Sequence, residues 1–260
     1  MAISSIGHLG VYPVFLLMLL GLMSFSLNAD SADKTTLIFD APDTCPFICP
    51  GKDKPGIMIE IVDKVFEGSE YVIEWRYVPW VRGIYEANEG AVNALLGPTL
   101  TEAPELSFPT NEVFNQLTCF YVRTDDDWQF TGTPSLLDRR RIAIVSGHSL
   151  EEFDYLKQSN PEAFLIVNQN VLLNSMVDLV LQNRVNTAAL LKRFYDYTVD
   201  ESNKKQLKSA GCLDKISIYL AFSPKFSNFR KLIEYYDTTF PTQRVQQEIP
   251  RILEAYGTSL

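Results

Sequence analysis

The chain has 260 residues, 46% of them hydrophobic, 12% aromatic and 21% charged, with 13 Gly and 14 Pro. That composition excludes collagen-like, mucin-like and strongly disordered chains, and the length admits one large domain or two modest ones. Lys and Arg number 23 against 32 Asp and Glu, a net charge of -9, and the basic clusters at Arg139-Arg140-Arg141 and Lys204-Lys205 are short and lack interleaved aromatics, so no nucleic-acid partner is expected.

Residues 11–27, VYPVFLLMLLGLMSFSL, form an uncharged apolar run, and the first Asp, Glu, Lys or Arg of the chain is Asp30. This pattern reads as a cleavable signal peptide over residues 1–29, cut after Ala29, and places the mature protein in the periplasm; an uncleaved leader anchored in the inner membrane is the rival reading. Four cysteines follow, Cys45, Cys49, Cys119 and Cys212. They permit three complete pairings. The short step within CPFICP suits a small structural disulfide between Cys45 and Cys49, with other pairings, free thiols and a redox or metal role as the alternatives. Zinc would need two further ligands, and His148 is the sole histidine after the leader and remote in sequence. No metal and no cofactor are expected.

In chain order, Thr36 to Asp40 reads as a strand, a Pro/Gly/Cys loop runs to Gly56, and Ile57, Ile61 and Val65 recur at helical spacing. Tyr71, Ile73, Trp75 and Tyr77 alternate in a second strand, Trp80 to Glu89 supplies a helix that Gly90 can end, and Val92 to Leu96 is a third strand. This βαβαβ start predicts an α/β sheet whose ligands sit beyond the C-terminal ends of the strands. Leu117 to Arg123 is another strand, and the polar Thr124 to Asp127 that follows predicts a crossover into a second lobe. The alternation restarts with strands at 141–145, 163–167 and 187–191 and helices at 150–158 and 171–182. Ile216 to Phe222 predicts a returning strand, and 226–236 and 244–256 two closing helices. The expected architecture is two lobes, 30–123 with 216–260 and 124–215, joined by two hinge crossings around an interlobe cleft.

Nucleotide-binding, phosphate-loop, nucleophile-elbow and zinc-protease patterns are all absent from the sequence. His148 stands between Ser146 and Ser149, but adjacency is not triad geometry, and the acidic residues have no spacing that establishes opposed carboxylates. Catalysis is therefore not expected. The turn Ser146, Gly147, His148 and Ser149 lies between a predicted strand and helix, where backbone N–H groups can cradle an anion or Ser149 can simply cap the helix. Phe47, Trp80 and Arg82 are further cleft candidates, the rings for packing and the guanidinium for a carboxylate. Gly97 and Thr99, just after the third strand, offer close backbone approach and a hydroxyl.

The segments CPFICPG, GIMIEIVDKVF, WRYVPWVRGIYEANEG, LSFP and IYLAFSP resemble the bacterial family 3 extracellular solute-binding proteins, in particular exported members with a Cys-Pro-aromatic-x-Cys loop. The resemblance runs from about Thr35 to Tyr256. It implies a two-lobed, hinge-closing type II periplasmic binding fold, acting as a monomer on a small polar solute and serving an ABC-type permease or a membrane sensor. It places the first-loop aromatic on Phe47, the Pro-Trp-x-Arg stretch on Pro79 to Arg82, the strand-end glycine on Gly97 and the second-lobe binding turn on Ser146 to Ser149. Two departures bear on the ligand. Amino-acid-binding members commonly carry an Arg after a Pro-Glu pair, where this chain has Leu106, and the later acidic contact is replaced by Asn186 and Thr187 in RVNTAALL. The expectation is a solute-binding protein whose ligand need not be an α-amino acid. An enzyme on the same scaffold, dehydratase-like or cell-wall-active, and a degenerate signalling protein are the alternatives.

Overall fold

The computed structural model describes residues 1–2, 34–132, 140–145, 151–167 and 174–258. The leader expected over residues 1–29 lies, beyond residues 1–2, outside the described residues. No helix among the described residues is long and apolar enough to cross a membrane.

Three parallel strands open the first lobe: β1 (Thr35–Ala41), β2 (Tyr71–Tyr77) and β3 (Ala94–Leu96). β1 lies between β2 and β3, aligned Thr35 with Tyr71 and Phe39 with Ala94. Helices α1 (Ile57–Phe66) and α2 (Trp80–Glu89) make the crossovers. The β1 sequence TTLIFDA is rich in β-branched and aromatic residues, and its C-terminal half is buried on both faces as a covered parallel strand requires. One face packs on α1 through Leu37, Phe39, Ile61 and Val65. The other packs on α2 through Trp80, Ala87, Leu95 and Ala221. Gly90 ends α2 in the left-handed conformation, the usual helix stop.

β4 (Phe114–Gln116) then leads into β5 (Thr118–Arg123), which belongs to a second sheet with β6 (Ile142–Val145), β7 (Phe164–Val167), β8 (Thr187–Leu191) and β9 (Leu207–Cys212). The order is β7-β6-β8-β5-β9. Helix α3 (Glu151–Ser159) precedes β7 and α4 (Asn174–Leu181) precedes β8. Each face of this sheet carries its own apolar cluster, one around Met176, Val180 and Leu190, the other around Phe120, Ile144 and Phe164. The boundary expected after Arg123 therefore moves before Thr118, because β5 pairs along its length with β8 and β9.

After β8 come two short helices, α5 (Lys192–Thr198) and α6 (Glu201–Lys204). The returning segment is two strands: β10 (Ile216–Ile218) pairs antiparallel with β4, and β11 (Leu220–Phe222) pairs antiparallel with β3 in the first sheet. The chain thus leaves the first lobe through β4 and re-enters it through β10, which makes two crossings. The chain closes with α7 (Phe229–Thr239), α8 (Gln243–Gln246) and α9 (Glu248–Ala255). The single helix expected over 244–256 is broken at Gln247, since Pro250 has no N–H for the Gln246 carbonyl four residues back.

Both disulfides are formed, Cys45–Cys49 and Cys119–Cys212.

Candidate functional site

A cavity of ≈ 70 Å³ opens where the C-terminal ends of β1, β3 and β8 meet the β4–β10 hinge pair. That volume has room for about five waters, and its mouth is open to solvent. The loop after β1 contributes Pro42, Thr44, Phe47 and Ile48, and the region after β3 contributes Gly97, Thr99 and Glu102. Met58 and Trp80 come from the first turns of α1 and α2. Gln116, Thr118, Ile216 and Ile218 line it from the hinge side, and Leu191 from the end of β8.

The cysteine loop is built to hold Phe47. Thr44 and Ile48 form a bridge across it, the Phe47 N–H donates to the Thr44 carbonyl at 2.9 Å, and the Cys45–Cys49 bond closes it. Its carbonyls serve α1: the Ile57 N–H donates to Pro46 at 2.9 Å and the Met58 N–H to Phe47 at 3.0 Å. Two of the four N–H groups that a helix start leaves unsatisfied are thereby used by the loop. Gly56 makes the approach possible, because its φ is +120° and a Cβ there would sit 2.6 Å from Ile48 Cα. Phe47 is 1% exposed, and its ring meets Phe114 at 5.9 Å.

Trp80 is 3% exposed and stands beside Gly97, whose φ of +115° belongs to a glycine and whose hypothetical Cβ would lie 3.6 Å from the indole ring. Thr99 and Glu102 brace each other: the Thr99 N–H donates to Glu102 Oε2 at 3.1 Å, and the Glu102 N–H donates to Thr99 Oγ1 at 3.2 Å. The hydroxyl expected for a ligand is already engaged in this turn. On the hinge, Gln116 is 6% exposed, and its Oε1 is buried with no hydrogen-bond partner among the described residues. Thr118 lies two residues further on and is also buried.

Of the residues singled out from sequence, Phe47, Trp80, Gly97 and Thr99 converge on the cavity. Arg82 does not. Its side chain is 63% exposed and pairs with Glu86 at 2.5 Å one turn along α2, because position 82 falls on the outer face of that helix. Asn186 and Thr187 are not among the lining residues either. Asn186 Oδ1 accepts the Arg141 N–H at 2.8 Å and Thr187 Oγ1 accepts from Arg140 Nε at 3.1 Å, both at the start of β8. Leu191 lines the cavity from the other end of that strand, four residues or about 13 Å away. Ser146, Gly147, His148 and Ser149 lie outside the described residues. Sequence reasoning missed Gln116 and Thr118, a polar i, i+2 pair on either side of Leu117 where β4 passes into β5. Among the described residues no group of three or more His, Cys, Asp and Glu side chains is placed to hold a metal ion.

A scan against protein-family models finds no match, and a search of curated proteins finds no relative. Solved structures do match. A histidine kinase sensor domain with similarity to periplasmic binding proteins aligns at a TM-score of 0.72 and 14% identity, over 88% of this chain and 98% of that one. A structure from work on glutathione import through GshT and the cystine importer TcyBC of Streptococcus mutans aligns at 0.69 and 16% identity, over 87% and 96%. An ancestral arginine-binding protein bound to arginine aligns at 0.67 and 13% identity, over 86% and 99%. Two α/β sheets, two crossings and near-complete alignment lead to one conclusion: the chain has the two-lobed periplasmic-binding-protein fold.

Proposed function

We propose that this protein binds a small polar solute in the cleft without transforming it, and that closure of the lobes over the solute is what a membrane partner reads. The carrying observation is the cavity itself, which gathers residues from three strand ends and from both hinge strands. A solute that touches both sides binds the closed arrangement better than the open one and shifts the population by that difference. In this reading the leader of residues 1–29 exports the protein to the periplasm, and the loaded monomer delivers its solute to an ABC-type permease. The likeness to a kinase sensor domain supports a second reading, in which the closed lobes are read by a membrane sensor instead.

The test is a thermal-shift screen of folded, ligand-stripped protein against amino acids, small peptides, polyamines, sugars, organic acids, amides and metal ions, followed by calorimetry. A solute that binds only the native state raises stability by about 2.7 kcal/mol at a hundred times its Kd. A saturable rise for one class is expected. The absence of any rise across the library overturns the proposal.

A further inference from the structure

We infer that the free edge of β2 is the interface of a symmetric pair, in which a second copy of this chain adds its own β2 antiparallel and joins the two first-lobe sheets into one. The inference is independent of the solute-binding reading. The first sheet runs β11-β3-β1-β2, so β2 is the edge farthest from the strand that follows the hinge. Pairing there leaves each cleft to its own chain, and the monomer of that reading is the separated form.

The ladder fixes which groups the edge offers. The Thr35 N–H donates to the Glu70 carbonyl at 2.8 Å and the Val78 N–H to the Ala41 carbonyl at 3.1 Å, and the pairing between them runs without a shift of register. In such a ladder alternate residues turn their backbone groups toward and away from the neighbouring strand. The even-numbered residues of β2 therefore serve β1, and Tyr71, Ile73, Trp75 and Tyr77 turn N–H and C=O outward. The Tyr71 N–H donates to Ser69 Oγ at 3.0 Å, whereas the backbone groups of the other three have no hydrogen-bond partner among the described residues. Natural edges are commonly blunted by Lys, Pro or a bulge. β2, YVIEWRY, has none of these, and Pro79 comes only after its last residue.

The side chains favour a second copy as the occupant. Outward residues must face outward residues, so a twofold axis near the middle of β2 passes through residue 73, 74, 75 or 76. At 74 it sets Glu74 against Glu74, at 76 Arg76 against Arg76, and at 73 Glu74 against Val72. At 75 alone it sets Glu74 opposite Arg76 on both sides of the axis, with Ile73 against Tyr77. Opposite charges across a strand pair are favourable and like charges unfavourable. Glu74 is exposed, and Arg76 is already oriented by Asp40 and Glu86 with donors to spare in its five N–H groups. Val72 and Tyr77 on β2, and Val81 and Tyr85 on the helix that follows it, are exposed apolar side chains along the same margin, the kind of surface that marks an interface.

The experiment uses the full chain, with its mass read by sedimentation equilibrium from the micromolar to the millimolar range. A pair in exchange with single chains is expected. Glu74→Arg should weaken it at least about tenfold, because two favourable cross-strand pairs become two unfavourable ones. Ile73→Pro should abolish it while keeping every bond to β1, since only an outward N–H is lost; the arginine variant, at an exposed position, keeps the test open if the proline variant does not fold. Val72→Cys, in a chain whose own cysteines are all bonded, carries a spin label. The two labels should stand about 20 Å apart, the length of six residues of paired strand. A single chain's mass at every concentration overturns the inference, and so does a pair unaffected by either substitution or with its labels at the separation of another register. None of these outcomes bears on the solute screen, so the two readings fail separately.

Discussion

Cys119 and Cys212 are bonded to each other across neighbouring strands β5 and β9. Cys119 is the second residue of β5, just past the outward crossing at Gln116–Thr118, and Cys212 ends β9, just before the return through β10. The bond therefore ties together the second-lobe ends of the two segments about which the lobes would swing. It also closes a loop of 93 residues, whereas Cys45–Cys49 spans a separation of 4. By chain entropy the long loop confers about 4–5 kcal/mol and the short one about 2. Urea titrations should accordingly show a larger loss for the Cys119→Ala/Cys212→Ala pair than for Cys45→Ala/Cys49→Ala. The reverse order would mean that the small loop matters chiefly by holding Phe47 and the start of α1.

Arg82 and Trp80 stand two residues apart on one helix and face different environments. Arg82 is 63% exposed, and its partner Glu86, only 14% exposed, keeps its pairing with Arg76 when Arg82 is removed, so the exposed end of this pair contributes about 0–1 kcal/mol. Arg82→Ala should leave stability within about 0.5 kcal/mol and leave unchanged the affinity for the solute found by the screen. Trp80→Ala, which empties a buried position beside the cavity, should cost about 3–5 kcal/mol; the milder Trp80→Phe separates lost binding from lost folding. A drop in affinity of tenfold or more on removing Arg82 would place its guanidinium at the ligand after all.

Much of the first lobe was legible because its signals are local. The alternation of Tyr71, Ile73, Trp75 and Tyr77, the helical spacing of Ile57, Ile61 and Val65, and the Gly90 stop each act within one element, and β2, α1 and α2 follow them. The hinge was not legible in the same way. β9, LKSAGC, has little strand propensity and is a strand because β5 and a disulfide hold it. The predicted strand at 216–222 divides at Tyr219, where the chain changes partner from β4 to β3, a choice made by tertiary pairing. The same limit applies to the site. Phe47, Trp80, Gly97 and Thr99 sit at strand ends and helix starts, which sequence can mark. Gln116 owes its place to the β10 strand 100 residues away, and Asn186 and Thr187, polar positions taken from the resemblance, stand at the start of β8, opposite the Leu191 end that lines the cavity.

The last prediction concerns Asp40, which is fully buried near the end of β1. Arg76 Nε lies 3.0 Å from its Oδ1, an ion-pair approach without hydrogen-bond alignment, so Oδ1 makes no hydrogen bond. Arg76 also pairs with Glu86, which holds Arg82 in turn. Burial raises the Asp40 carboxyl above its usual range, against the opposing pull of Arg76 and Arg82. A carboxyl with a raised native pKa keeps its proton where the unfolded chain has lost it. Its contribution to stability is therefore most favourable below the unfolded value of 3.8 and declines as pH rises from there through the native value. The exposed carboxylates Asp125 and Asp200 are shifted downward by their partners and have the opposite slope, so the wild-type curve alone mixes the two signs. The difference between wild type and Asp40→Asn isolates the buried group. In urea titrations from about pH 3 to 7, the stability of wild type relative to Asp40→Asn should fall as pH rises and then level off. A relative stability that instead climbs with pH would mean that Arg76 and Arg82 outweigh burial and that Asp40 is held ionised in the fold.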